Sequence, residues 1–343
     1  MNKTSLLVGT SLVSLALASP AFARDGISIV GSSTVFPFAT VVAERFGRTT
    51  DFPTPKIEST GSGGGLKLFC SGIGVSTPDI TNASRRIKAS ELEMCEKNGV
   101  TNVVEVLIGF DGIAIANSLE TDQLDISVGN LFLALAKNVP NPDGEGLVPN
   151  PYQMWSEIDD SLPASAIEVL GPPPTSGTRD AFVELVMEKG CESFEAIEAL
   201  DDDAKDAACA TMREDGRYVE AGENDNLIVQ KLEANPNAIG IFGYSFLDQN
   251  SHKVHSSIID GVEADFDTIA DGSYPVSRPL YFYVKGQHVG TVPGIAEYLA
   301  EFTSENAAGE FGYLADKGMI PLSDAERAEV AAAAIELKSV QLN

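Results

Sequence analysis

Gly171-Pro-Pro-Pro-Thr-Ser-Gly-Thr-Arg-Asp180 follows the apolar run Ile167–Leu170 and precedes an amphipathic run that begins at Ala181. The prolines end the preceding element and stiffen the approach. Ser176, Gly177 and Thr178 then set two hydroxyls and unhindered backbone N–H groups at a helix start. A helix's first turn carries unpaired donors and a partial charge of about +0.5 e. Such an end binds tetrahedral oxyanions. Arg179 adds a forked, permanent cation. The plain alternative is that Ser176 or Thr178 only caps the helix.

The same order of strand, Gly/Ser/Thr loop and helix occurs at two earlier places. Ile27–Val30 reads as a strand, Gly31-Ser-Ser-Thr34 as its loop, and Phe36–Phe46 as a helix with Pro37 in its first turn. Lys56–Ser59 reads as a strand broken by Gly61-Ser-Gly-Gly-Gly65, with a helix over Leu66–Ser71. Val103–Gly109 and Ile113–Ala116 read as two strands split at Asp111-Gly112, and Pro279–Val284 as a late strand. Helices are expected at Ala89–Lys97, Tyr152–Ile158, Ala181–Glu188, Ile228–Ala234, Pro293–Phe302 and Ala325–Leu337. This alternation predicts an α/β fold with a largely parallel sheet and a ligand at the strand C-terminal ends. Several helix N-termini would then converge on one anion.

Other chemistry has little support. No loop matches the phosphate loop of nucleotide hydrolases, and Gly177-Thr178 lacks the hydrolase elbow pattern. None of His252, His255 or His288 sits in a comparable loop, and His288 reads as a surface residue. No cofactor and no metal site is expected. The formal net charge of −27 argues against nucleic acid and anionic membrane surfaces as partners. An anionic ligand would have to rely on local donors, since distant acids are screened beyond about 8 Å at physiological salt.

Residues 1–23 read as a cleaved export signal, with Lys3, an apolar Leu6–Leu17 stretch and Ala21-Phe-Ala23, which puts the mature start at Arg24. The four cysteines allow three connectivities; the local pairs Cys70–Cys95 and Cys191–Cys209 are favoured. Arg85, after the compact Asn82-Ala-Ser84, is a candidate site cation, with a solvated basic pair (Arg85, Arg86) as the alternative. Asp111 is a candidate acceptor for a protonated ligand, or else a turn residue. Trp155 reads as core, and the acids Glu192, Asp201, Asp202, Asp203, Glu223 and Asp225 as a solvated face.

Taken in order, Gly31-Ser-Ser-Thr-Val-Phe-Pro37, Gly61-Ser-Gly-Gly-Gly65, Asp79-Ile-Thr-Asn-Ala-Ser-Arg85, Thr175-Ser-Gly-Thr178 and Gly312-Tyr-Leu-Ala-Asp-Lys-Gly-Met-Ile-Pro321 resemble the PstS-type periplasmic phosphate-binding proteins of ABC transporters. The resemblance implies a type II, two-domain binding protein, each domain a mixed sheet flanked by helices, joined by a two-strand hinge. Residues 24–110 plus 276–343 would form domain I and 111–275 domain II, with crossings near 107–113 and 274–280. It implies inorganic phosphate as ligand, a membrane permease as partner, a periplasmic location, a monomer and no enzymatic activity. Receptors for sulfate or molybdate, or a secreted phosphatase-like protein, are the alternatives. By similarity, Ser33, Thr34, Val35, Ser62, Ser176, Gly177 and Thr178 match ligand positions. Two departures stand out: Arg85 where many members carry Asp, and Pro172 where many carry Arg. The expectation is that Arg85 and Arg179 supply the positive charge and Asp111 the proton acceptor.

Overall fold

The computed structural model describes residues 26–222 and 224–342. The expected export signal, Arg24 and Glu223 lie outside them. The main strands are β1 (Ser28–Gly31), β2 (Lys56–Ser59), β3 (Ile80–Ala83), β4 (Val103–Ser118), β5 (Val169–Gly171), β6 (Tyr218–Glu220), β7 (Ile239–Gly243), β8 (Val254–Ser256) and β9 (Ser277–Lys285). They follow one path, β2-β1-β3-β9-β4-β7-β5-β6, with β8 also on β4. β2, β1 and β3 run parallel, as do β7, β5 and β6. The chain is therefore two α/β lobes threaded on the long antiparallel pair of β4 and β9.

β4 is the first difference from the sequence reading. It runs unbroken for 16 residues, where two strands split at Asp111-Gly112 were expected. Asp111 and Gly112 stay extended because they pair with Arg278 and Ser277 of β9. Its first half lies in one lobe, and from Ile113 it pairs with β7 in the other. Asp111 is thus on the crossing itself.

Each lobe has its own core. Helix Phe36–Thr49 buries Phe38, Ala39, Val42, Ala43 and Phe46, the i, i+4 stripe of an amphipathic helix. Phe46 meets Tyr298 edge-on, and Phe282 of β9 packs on Phe302. Truncating a buried Phe to Ala costs about 3–5 kcal/mol. A smaller cluster around Leu66, Phe69, Ile87 and Tyr283 surrounds the Cys70–Cys95 disulfide. The other lobe buries Trp155, Phe182, Phe242 and Tyr274. The Cys191–Cys209 disulfide lies there.

Three boundaries differ instructively. The second glycine loop is not a loop: the helix starts at Ser62 and includes Gly63–Gly65. A Cβ on Gly65 would stand 2.5 Å from Gly31 Cα, so only glycine lets this helix approach β1. Helix Ile295–Phe302 begins after Gly294, whose φ of 88° makes the turn, leaving Pro293 outside it. Near Trp155 a short 3₁₀ turn, Trp155–Glu157, replaces the expected helix. Among the described residues no helix is long and apolar enough to cross a membrane.

Candidate functional site

The parallel strands of both lobes deliver their following helices to one cleft. β1 leads through Ser32–Val35 to helix Phe36–Thr49, and β5 through the prolines to helix Gly177–Phe182. β6 and β7 lead to helices Asp225–Ala234 and Tyr244–Gln249. Strand C-terminal ends of this kind are where open α/β sheets hold ligands. A cavity of about 350 Å³ lies there, lined by Ser33, Thr34, Asp111, Ser176, Gly177 and Thr178 among others. The lobes approach closely: a Cβ on Gly177 would be 3.5 Å from the Ser33 carbonyl oxygen. Ser176 does cap its helix, its Oγ accepting from the Thr178 N–H at 3.2 Å. That contact uses an oxygen lone pair and leaves the hydroxyl proton for another acceptor.

Arg278, which the sequence reading missed, is not a lining residue itself but holds two that are, Thr34 and Asp111. It is 5% exposed on β9, opposite Asp111 on β4. Its Nε donates to Asp111 Oδ2 at 3.4 Å, and its two terminal nitrogens donate to the Glu184 carboxylate and the Thr34 hydroxyl. Because Thr34 Oγ1 accepts from Arg278, its own proton is available to a cavity ligand. Burial pushes the Asp111 carboxyl up, against the downward pull of Arg278. The one usable signal in the sequence was pairing of the two crossings, which would have set the two residues side by side.

Asp225 also lines the cavity, contrary to its reading as part of a solvated face. Burial pushes its carboxyl up to about 6, opposed by the Gly243 N–H, 3.5 Å away. Lys317 and Gly318, from the C-terminal motif, and Ser245 complete this side.

Other expected residues lie elsewhere. Val35 is fully buried, with its N–H donating to Ser32 Oγ. Ser62 Oγ is 3.1 Å from Ser84 Oγ and accepts from the Ser84 N–H. Arg85 grips Glu91 with two hydrogen bonds, at 2.8 and 3.0 Å. Arg179 lies over the Tyr218 ring, 4.4 Å from its centroid, and reaches the Pro172 carbonyl. Neither arginine lines the cavity. His288 is buried rather than superficial: Nδ1 meets Asp79 Oδ1 at 2.7 Å and Nε2 accepts from the Gly74 N–H. It holds the 70–77 segment in place.

A family model described as a PBP superfamily domain matches residues 17–306. The phosphate-binding protein PstS of Staphylococcus haemolyticus is 30% identical over 295 residues, covering 83% of this chain and 79% of that protein. Protein SphX of Synechococcus elongatus is 29% identical over 77% of this chain and 69% of its own. Among solved structures, a possible phosphate-binding protein from Planctomyces limnophilus superimposes with a TM-score of 0.74 at 24% identity, over 92% of this chain and 99% of the other.

Proposed function

The chain belongs to the PstS family of phosphate-binding proteins within the PBP superfamily, and from that premise we propose that it captures inorganic phosphate between its lobes and passes it to the permease of an ABC transporter. One observation carries the reading. Ser33 and Thr34 of one lobe and Ser176–Thr178 of the other face each other across one small cavity, each set at a helix N-terminus. Hydrogen bonds to a charged acceptor contribute about 1.5–3 kcal/mol each. Four or five such bonds total about 6–15 kcal/mol, a range that spans the ~8 kcal/mol of micromolar binding before ordering costs are subtracted.

Arg278 supplies the charge assigned in the sequence to Arg85 and Arg179. It stands directly behind Thr34 and Asp111, and Lys317 adds a second cation from the rim. Asp111 accepts the proton that phosphate retains near neutral pH and that sulfate lacks. An ionised Asp111 facing sulfate would leave two acceptors opposed without a hydrogen between them. A ligand touching both lobes favours their closed arrangement by its differential contacts. The protein acts as a monomeric, exported receptor and performs no covalent chemistry.

Titration calorimetry of phosphate-stripped protein tests this. Phosphate should bind with a micromolar or lower Kd and resist a hundredfold excess of sulfate. Sulfate binding as tightly as phosphate would remove the Asp111 role. Turnover of a chromogenic phosphomonoester would overturn the receptor reading.

A further inference from the structure

Ser33, just assigned to phosphate, and Arg278, the cation behind Thr34, are both engaged by acidic side chains from one continuous helical segment. Ser33 Oγ donates to Asp180 Oδ2 at 2.9 Å, across 147 residues of sequence and from one lobe to the other. Arg278 donates to the Glu184 carboxylate, while its other nitrogen holds Thr34. Asp180 and Glu184 are four apart on the segment that begins at Gly177, so they share a face. That segment starts with the Ser176–Thr178 ligand loop. A carboxylate presents two oxygens with the charge and acceptor geometry of one edge of a phosphate.

We propose that Asp180 and Glu184 are specificity-determining residues: they compete with the ligand for Ser33 and Arg278, and an incoming anion must displace both carboxylates. This rests on the phosphate reading above. Displacement is physically easy, because Asp180 is exposed and the Glu184 side chain is 46% exposed, so both swing to water when released. Arg278 cannot follow, being 5% exposed and fixed by Thr34 and Asp111. The arrangement has two consequences. Ser33–Asp180 and Thr34–Arg278–Glu184 bridge the two lobes, so the carboxylates hold these donors in position. A ligand must also outcompete two carboxylates, which penalises a monoanion with a single acceptor edge more than tetrahedral phosphate.

The test uses Asp180→Asn, Glu184→Gln and the double variant of the full mature chain, with Glu188→Gln as control. Glu188 is four residues beyond Glu184 and its carboxylate engages neither Ser33 nor Arg278, so it reports the through-space effect of losing one acid. Calorimetry with inorganic phosphate at 150 mM salt should show Kd falling about threefold in each single variant and about tenfold in the double, with less than a twofold change in the control. Small-angle scattering of ligand-free protein should show a larger radius of gyration for the double variant than for wild type. A Kd that rises, stays put or falls equally in the control overturns the proposal, as does an unchanged ligand-free radius. If wild type binds no phosphate, the receptor reading fails by itself. The scattering comparison then decides alone whether the two carboxylates tie the lobes.

Discussion

Asp225→Asn should stabilise the ligand-free protein at pH 8 and leave it nearly unchanged at pH 3.5. The native carboxyl is pushed up to about 6 from 3.8 by burial at the cavity wall. Between those values the native state holds a proton that the unfolded chain has released. Stability therefore falls as pH rises from about 4 to about 6, and the loss is complete above that window. At about 1.4 kcal/mol per unit, the ionised native carboxylate costs about 3 kcal/mol at pH 8. Two effects reduce what the amide recovers. Water reaching the cavity screens the charge, and Asp225 is the first residue of helix Asp225–Ala234, where a negative charge contributes about 0.5 kcal/mol. The net gain is about 2 kcal/mol, or roughly 4–8 °C in Tm for a lobe-sized cooperative unit. Scanning calorimetry of phosphate-free wild type and variant at intervals from pH 3.5 to 8 reads this directly. Two melting curves that stay parallel across that range would refute the buried-carboxylate argument, and so would a variant less stable at pH 8.

Arg278→Lys keeps the charge but loses the fork that spans Thr34, Asp111 and Glu184; phosphate Kd by calorimetry should rise at least about tenfold, about 1.4 kcal/mol. Arg85→Lys, whose partner is Glu91, should leave that Kd within about twofold, and a large loss would return Arg85 to the site. Reduction of the Cys70–Cys95 and Cys191–Cys209 disulfides, with sequence separations of 25 and 18, should each remove about 3 kcal/mol in the loop-entropy model, seen as a lower Tm in a thiol reductant. Gly65→Ala places a methyl 2.5 Å from Gly31 Cα and 2.6 Å from Thr81 Oγ1, so it should cost about 1–3 kcal/mol in chemical denaturation. An unaltered midpoint would mean the helix does not pack there.

Local order along the chain made the strand–loop–helix units and part of the cavity wall legible. Proline, hydroxyl and glycine in a loop with an amphipathic run after are short-range signals, so the Gly31–Thr34 loop and Ser176–Thr178 could be picked out without coordinates, while Ser33 and Thr34 as ligand residues came from the family resemblance. Arg85 and Arg179 show where that logic stops. An arginine has a long stem and several reachable partners, and its place in the sequence does not fix its head. Glu91 took one guanidinium and the Tyr218 ring the other. Arg278 was hidden for the opposite reason: its partners lie 94, 167 and 244 residues away. His288 was misjudged likewise, because Asp79, 209 residues distant, buries it.

The sequence by itself determined the alternation of strand, small-residue loop and helix, and hence which backbone N–H groups and hydroxyls point from helix starts. Those properties depend on neighbours within a few residues, where steric and capping preferences act. Tertiary structure alone decided which charge stands behind the donors and which carboxylates it meets. That choice followed from pairing β4 with β9, which set Arg278 against Asp111, and from the second lobe bringing Glu184 and Asp180 to the same cleft. Electrostatic partnership depends on separation in space and on exclusion of water, and neither is set until distant strands are paired.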